Sequence, residues 1–182
     1  MASGFQWAKV QTMFKAFDAD GNGYLEGSDF EALAGRWERL PRVAAEPELA
    51  ARVHTVVMGW WDLLSTNGDG RVERIGMAEL MAMVDRLPAM QQTVAATADT
   101  IFDAVDENED GRISRGEHEQ LINTWHGRSI PTGNVFHRLD EDGDGYLSRA
   151  EFAALWTEFW ISDDPSDPGN LMCGPVTGIP TT

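Results

Sequence analysis

The chain has 182 residues, 42% of them hydrophobic, with seven Trp and eight Phe, enough apolar bulk to build a core of its own. Thirty acidic against fourteen basic residues leave a net charge of −16, which argues against nucleic acid and anionic membranes as partners and favours cations. No stretch approaches the ~20 apolar residues of a membrane span, the start has no apolar run of a secretory signal, Ala2 rules out an N-myristoyl anchor, and the single Cys173 cannot form an internal disulfide. A cytoplasmic setting is expected. Twelve Arg against two Lys, with abundant Ala, point to a GC-rich bacterial source.

The first predicted helix carries Val10, Met13, Phe14 and Phe17 at helical spacing; it runs into "DADGNGYLEGSD" (18–29), and a second helix follows with Phe30, Leu33, Ala34 and Trp37. The unit then recurs. Val53, Val57, Trp60, Trp61 and Leu64 lead into "STNGDGRVERIG" (65–76), which is followed by Met77, Leu80, Met81 and Val84. Val94, Ala98, Ile101, Phe102 and Val105 precede "DENEDGRISRGE" (106–117), and Leu121, Ile122 and Trp125 come after it. A shorter helix with Val135, Phe136 and Leu139 enters "DEDGDGYLSRAE" (140–151), and Phe152, Leu155, Trp156 and Phe159 leave it. The expected fold is all-α, with eight helices in four helix–loop–helix units, the units in two pairs packed into one globule. The pairs are expected at 1–87 and 88–161, joined by "DRLPAMQQ", which is too short and apolar for a free linker.

In every twelve-residue frame the sixth position is Gly (Gly23, Gly70, Gly111, Gly145) and the eighth is aliphatic (Leu25, Val72, Ile113, Leu147). This is the EF-hand pattern. Ca²⁺ is a hard cation that takes six to eight oxygens at ~2.3–2.6 Å, supplied by positions 1, 3, 5 and 12, the carbonyl of position 7, and position 9 directly or through water. Loops 3 and 4 match the full pattern: Asp106, Asn108, Asp110, the Arg112 carbonyl and Glu117, then Asp140, Asp142, Asp144, the Tyr146 carbonyl and Glu151. Loop 1 offers Asp18, Asp20, Asn22, the Tyr24 carbonyl and Glu26, and closes with Asp29. One methylene shorter than Glu, Asp29 favours six ligands over seven, a geometry that admits Mg²⁺.

Loop 2 is different. Its two acidic residues, Asp69 and Glu73, are offset by Arg71 and Arg74, and Ser65 and Gly76 stand where the first and last ligands belong. It reads as a former site kept as structure, with Val72 bridging to Leu25 as Ile113 bridges to Leu147, and with Glu79 beyond the loop.

Over about residues 5 to 178 this arrangement resembles the sarcoplasmic calcium-binding protein family, and within it the bacterial, calerythrin-like branch: four hands, a degenerate second one, bulky aromatics in the helices, a tight junction and the tail "FWISDDPSDPGNLMCGP". The resemblance implies a compact globule that binds calcium inside cells without catalysis, as a buffer or store. Three Ca²⁺ are expected, with no required protein partner and a monomeric state. Residues 162–182 are expected to form a tail on the core, since Pro165 and Pro168 end the last helix while Leu171, Met172 and Val176 can cover an apolar seam.

Two other functions are open to such a chain. A calcium sensor would expose a groove to a target helix, and Met77, Met81 and Met83 are candidates for its lining. A photoprotein-like ligand binder would need Tyr, His and Trp around a cavity, whereas Tyr24 and Tyr146 both sit at loop position 7. The seven Trp are expected in one rigid core, which favours the buffer. His54, His118, His126 and His137 form no triad or ligand spacing with Cys173, so packing roles are expected for all five.

Overall fold

The computed structural model describes residues 4–67, 70–84 and 91–176. The first hand is α1 (Gly4–Phe17), β1 (Leu25–Glu26) and α2 (Gly27–Trp37). After α3 (Pro41–Ala45) comes the second: α4 (Pro47–Ser65), β2 (Thr66–Asn67), β3 (Gly70–Arg71), β4 (Arg74–Ile75) and α5 (Met77–Val84). The third is α6 (Gln91–Val105), β5 (Arg112–Ser114) and α7 (Arg115–His126), and the fourth is α8 (Val135–Leu139), β6 (Tyr146–Ser148) and α9 (Arg149–Ile161). A 3-10 turn at Pro168–Leu171 is the last of the described elements. None of these helices is long and apolar enough to cross a membrane.

The expected helices are present, and α3 is an addition to the eight. Pro41 opens it and Pro47 opens α4, because a ring that fixes φ and lacks an N–H suits the first turn of a helix. Of the junction "DRLPAMQQ", residues 85–90 lie outside the described residues, and Gln91 and Gln92 already belong to α6.

Loops pair through short antiparallel ladders. Ile113 faces Leu147 in the second half of the chain, as expected. In the first half Leu25 faces Ile75, not Val72. The reason is length: from the last residue of the incoming helix to the first of the outgoing one is ten residues in loops 1, 3 and 4 but twelve in loop 2, from Ser65 to Met77. The excess folds into a hairpin of β2 on β3, with Thr66 opposite Arg71 and Asn67 opposite Gly70. The gap-free alignment of 65–76 with its siblings is therefore corrected. Ser65 is the fully buried last residue of α4, Leu80 rather than Met77 matches the buried Phe30, and Glu79 occupies the twelfth-position place.

All four hands share one core. Trp125 of α7 has ring centroids of Phe17 (α1) at 5.0 Å, Trp60 (α4) at 5.9 Å and Trp156 (α9) at 6.0 Å around it, so aromatic packing crosses between the halves. Trp37, Trp61, Trp125 and Trp156 are buried, and Trp60 and Trp160 are half-buried against the core. Trp7 departs from the expectation: it is 47% exposed, on the first turns of α1, outside the stretch Val10–Phe17 that the core covers. Charges also cross the halves, since Asp103 of α6 accepts from Arg52 of α4 at 3.0 Å and from Arg149 of α9 at 2.7 Å.

The segment after α9 folds back onto the molecule. Leu171, Met172, Cys173 and Val176 are buried there. The Lys9 ammonium donates to the Ser162 carbonyl at 3.0 Å and to Asn170 Oδ1 at 2.9 Å, while Asn170 Nδ2 donates to the Asp164 and Asp167 carbonyls at 2.7 and 2.9 Å. His118 and His126 each hydrogen-bond through Nε2 at 2.9 Å, to the carbonyls of Met172 and Cys173. Gly169 sits so close to α9 that a Cβ there would lie 2.7 Å from the Leu155 carbonyl oxygen.

Candidate metal centres

The loops owe their shape to aspartate and asparagine side chains that accept from nearby main-chain N–H groups. At position 1, Asp18, Asp106 and Asp140 accept from the sixth-position glycines Gly23, Gly111 and Gly145 at 3.0, 3.1 and 2.9 Å. Those glycines have φ of +84°, +78° and +86°, a backbone that side chains with a Cβ rarely adopt. At position 3, Asp20, Asn108 and Asp142 accept from the residue two further on at 3.0–3.1 Å. At position 5, Asn22, Asp110 and Asp144 do the same at 2.8, 2.9 and 2.8 Å.

Position 12 closes each loop from the first turn of the outgoing helix. One oxygen of Asp29, Glu117 and Glu151 accepts the position-9 N–H, of Glu26, Ser114 and Ser148, at 2.8 Å in all three. A second oxygen of Asp29 and Glu117 accepts the position-2 N–H, of Ala19 and Glu107, at 3.0 Å. The carboxylate thus ties both ends of the loop together while also capping the helix. Ser114 and Ser148 donate their hydroxyls to it at 2.7 and 2.6 Å. In loop 1 the ninth position is Glu26, whose Oε2 lies 3.3 Å from Asn22 Nδ2 and brings an additional carboxylate to the loop.

Position 7 contributes no side-chain oxygen to the loop interior; in loop 3 the Arg112 guanidinium stands 3.9 Å from Asp110 Oδ2. The Tyr24 ring is covered by the Arg74 guanidinium at 4.4 Å and the Tyr146 ring by that of Arg112 at 4.1 Å, so what Tyr24, Arg112 and Tyr146 can offer an ion is the main-chain carbonyl.

Carboxylate oxygens gather within 4.8 Å of one another in two groups among the described residues, Asp18 with Asp20 and Asp29, and Asp140 with Asp142 and Asp144. In the third loop Asn108 replaces an acid between Asp106 and Asp110, and its amide donates to Asp110 at 3.1 Å. The crowding appears in the protonation equilibria. Burial pushes the Asp29 carboxyl up, the Glu26 and Ala19 N–H groups pull it back, and Asp20 and Asp18 add to the rise. Asp142 accepts the Asp144 N–H, which lowers it, yet desolvation and the Asp144 and Glu151 carboxylates leave it raised. Asp140 Oδ1 is buried with no hydrogen-bond partner. A buried carboxylate oxygen without a donor is costly, and a divalent cation is the partner that this donor set of hard oxygens fits.

In loop 2 the Gly76 N–H donates to Glu79 Oε2 at 3.1 Å, the same bond that position 9 makes to position 12 elsewhere. Sequence reasoning placed Glu79 outside the loop; the cue was Ile75, an aliphatic residue three positions after Val72 that also satisfies the bridge pattern. Arg42 was missed as well, because nothing local in the sequence links α3 to the third loop.

The comparisons with known proteins agree with this geometry. Residues 4–34 match an EF-hand domain pair model, and residues 98–121 and 134–156 each match an EF hand model. The chain is similar to the sarcoplasmic calcium-binding proteins of Hediste diversicolor (31% identical over 116 residues, 60% of this chain and 63% of the relative) and Perinereis vancaurica tetradentata (29% over 117 residues, 63% and 66%). These alignments span less than two thirds of either relative. Among solved structures it shares the fold of a sarcoplasmic calcium-binding protein from amphioxus, with a TM-score of 0.69 at 17% identity over 96% of this chain and 99% of the other.

Proposed function

We propose that this chain of EF-hand units is a calcium-binding protein of the sarcoplasmic type, taking up three Ca²⁺ at 18–29, 106–117 and 140–151 and serving as a cytoplasmic buffer or store. The carrying observation is the buried, partnerless Asp140 Oδ1 beside Asp142 and Asp144, in a loop that repeats the position-6, position-7 and position-9 N–H bonds of loops 1 and 3 but not the position-5 N–H bond that Asp18 and Asp106 accept. Asp18, Asp20, Asn22, Glu26 and Asp29 would hold the first ion, Asp106, Asn108, Asp110 and Glu117 the second, and Asp140, Asp142, Asp144 and Glu151 the third, with the carbonyls of Tyr24, Arg112 and Tyr146. A bound ion supplies charge neutralisation, and the residues supply an oxygen cage whose two ends are already tied in loops 1 and 3.

The second hand takes the part of a splint: its bridge and its Glu79 cap persist, while Thr66 stands where the other loops open with Asp and the loop is two residues longer. Mg²⁺ competes at the first site, where Asp29 closes the loop. The shared aromatic core around Trp125 favours a buffer over a sensor, because opening either half would separate Trp125 from Phe17 and Trp60. The chain is read as a non-enzyme and a monomer of the bacterial, calerythrin-like branch.

Calorimetric Ca²⁺ titration of the stripped protein, with and without Mg²⁺, tests this. Three sites are expected, one weakened by Mg²⁺, along with a rise in melting temperature, since an ion at a thousand times its dissociation constant stabilises the fold by ~4 kcal/mol. Four sites, or a large calcium-driven gain in dye-accessible apolar surface, would overturn the splint or the buffer respectively.

A further inference from the structure

Arg42 lies on α3, between the first and second hands, yet its guanidinium reaches the third loop. Nη1 donates to the main-chain carbonyl of Asp106 at 3.0 Å and stands 3.9 Å from Asp106 Oδ2, while Nη2 stands 3.8 Å from Glu109 Oε2. Nε is held by Glu46 Oε1, one turn further along, at 2.9 Å. The side chain is only 16% exposed. Asp106 is the first position of its loop and Glu109 the fourth.

The fourth position has an unusual backbone. In loops 1 and 4 it is Gly21 and Gly143, at φ +71° and +72°, whereas Glu109 adopts φ +57° with a full side chain. That conformation is unfavourable for a residue with a Cβ and persists where surrounding contacts hold it. The Asp110 N–H, bonded to Asp106 Oδ1 and Asn108 Oδ1, holds the peptide that follows Glu109, and Arg42 adds the contact from outside the loop, its planar fork reaching the Asp106 carbonyl, the Asp106 carboxylate and Glu109 at once.

We propose that Arg42 is the positioning residue of the third loop: from a helix in the first half of the chain it fixes the first and fourth positions of 106–117 in the shape that accepts the ion. Calcium affinity at this site then depends on how α3 is seated, which couples the N-terminal hands to the third site without any ligand of their own. The inference rests on 106–117 being a calcium site. Two effects oppose each other. As a plain positive charge Arg42 would weaken cation binding, and removing it would tighten the site; as a positioning group it removes disorder that binding would otherwise have to remove, so losing it loosens the site. The carboxylates of Glu46 and Glu109 offset its charge, which leaves positioning as the larger effect.

The amides of Gly23, Gly111 and Gly145 each donate to a first-position carboxylate, so their NMR signals follow the three loops separately during a Ca²⁺ titration. Arg42→Lys keeps the charge and loses the fork. It is expected to weaken the Gly111 response about three- to tenfold, with Gly23 and Gly145 unchanged, and Arg42→Gln to do the same or more. An Arg42→Lys protein that titrates like the native one, or tighter binding in Arg42→Gln, would overturn the inference. If Arg42→Gln does not fold, Glu109→Gly takes its place: glycine needs no support at φ +57°, so Arg42→Lys in that background is expected to lose less than in the native chain, and an equal loss counts against the coupling. A native Gly111 indifferent to Ca²⁺ would remove the third site itself and this inference with it.

Discussion

The main chain of Leu25 pairs with Ile75, three residues beyond Val72, and that offset decides what the second hand can become. Restoring its ends on a twelve-residue frame, by Ser65→Asp with Gly76→Glu, is expected to add no fourth site. Ser65 lies inside α4 and is fully buried, and Gly76 stands at the ninth position with its N–H already bonded to Glu79, which holds the twelfth. Calorimetric stoichiometry of the double variant checks this, and one additional ion would show that the two extra residues do not matter.

Asp29→Glu is expected to fit and to sharpen calcium preference. Asp29 makes the same N–H bonds to positions 2 and 9 that Glu117 makes in its own loop. The longer side chain reaches an ion more readily with both oxygens, which suits Ca²⁺ and exceeds the six ligands that Mg²⁺ takes. Competition titrations should show Mg²⁺ losing its effect on the first site. An unchanged Mg²⁺ effect would assign the preference to Glu26 or to the loop frame instead.

His118 should make the metal-free fold sensitive to mild acid. Burial holds its imidazole down to about 4, against upward pulls from the Met172 carbonyl and Glu119. An unfolded histidine takes its proton near 6.5, so between about pH 6.5 and 4 the unfolded chain binds more protons than the folded one. Stability from this group is therefore complete above 6.5 and falls as pH drops through that window, by up to about 3 kcal/mol. Phe30 and Phe152 stand at the same place after their own loops, so His118→Phe is the natural comparison. Urea midpoints of the two metal-free proteins should diverge between pH 4 and 6.5; parallel curves would contradict the assignment.

Lys9 is expected to hold the segment after α9 in place. Lys9→Ala leaves the Ser162 carbonyl and Asn170 Oδ1 without their donor, a loss of about 1–3 kcal/mol. Cys173 gives a direct readout, because burial pushes its thiol well above the usual range and shields it, with Lys9 pulling the other way. Thiol labelling should be slow in the native protein and faster in Lys9→Ala. Equal rates would mean that packing of Leu171 and Met172 alone holds the segment.

What the sequence made legible was what repeats. The loop residues of the first, third and fourth hands, the helical stripes such as Phe30, Leu33, Ala34 and Trp37, and the Ile113–Leu147 bridge each follow from a short-range rule that the chain states more than once. The offset at Ile75 was hidden because Gly70 and Val72 satisfy the glycine and aliphatic positions of a frame that the backbone does not use. Arg42 and Glu109 were hidden for another reason: they are 67 positions apart, and only the folded chain brings their charges together. Trp7 shows a third limit, since helical spacing tells which side a residue is on but not how far along the helix the core extends.

The bridge also divides the second hand into a part whose length is fixed and a part whose length has already changed. From Arg74 onward the strand, the Glu79 cap and the start of α5 repeat their counterparts; between Ser65 and Arg74 the chain has accepted two residues without disturbing the ladder to Leu25. For protein engineering this marks an insertion point. A short foreign epitope or a metal-independent fluorophore spliced between Asn67 and Gly70 would be carried by β2 and β3, leaving the three acidic loops untouched.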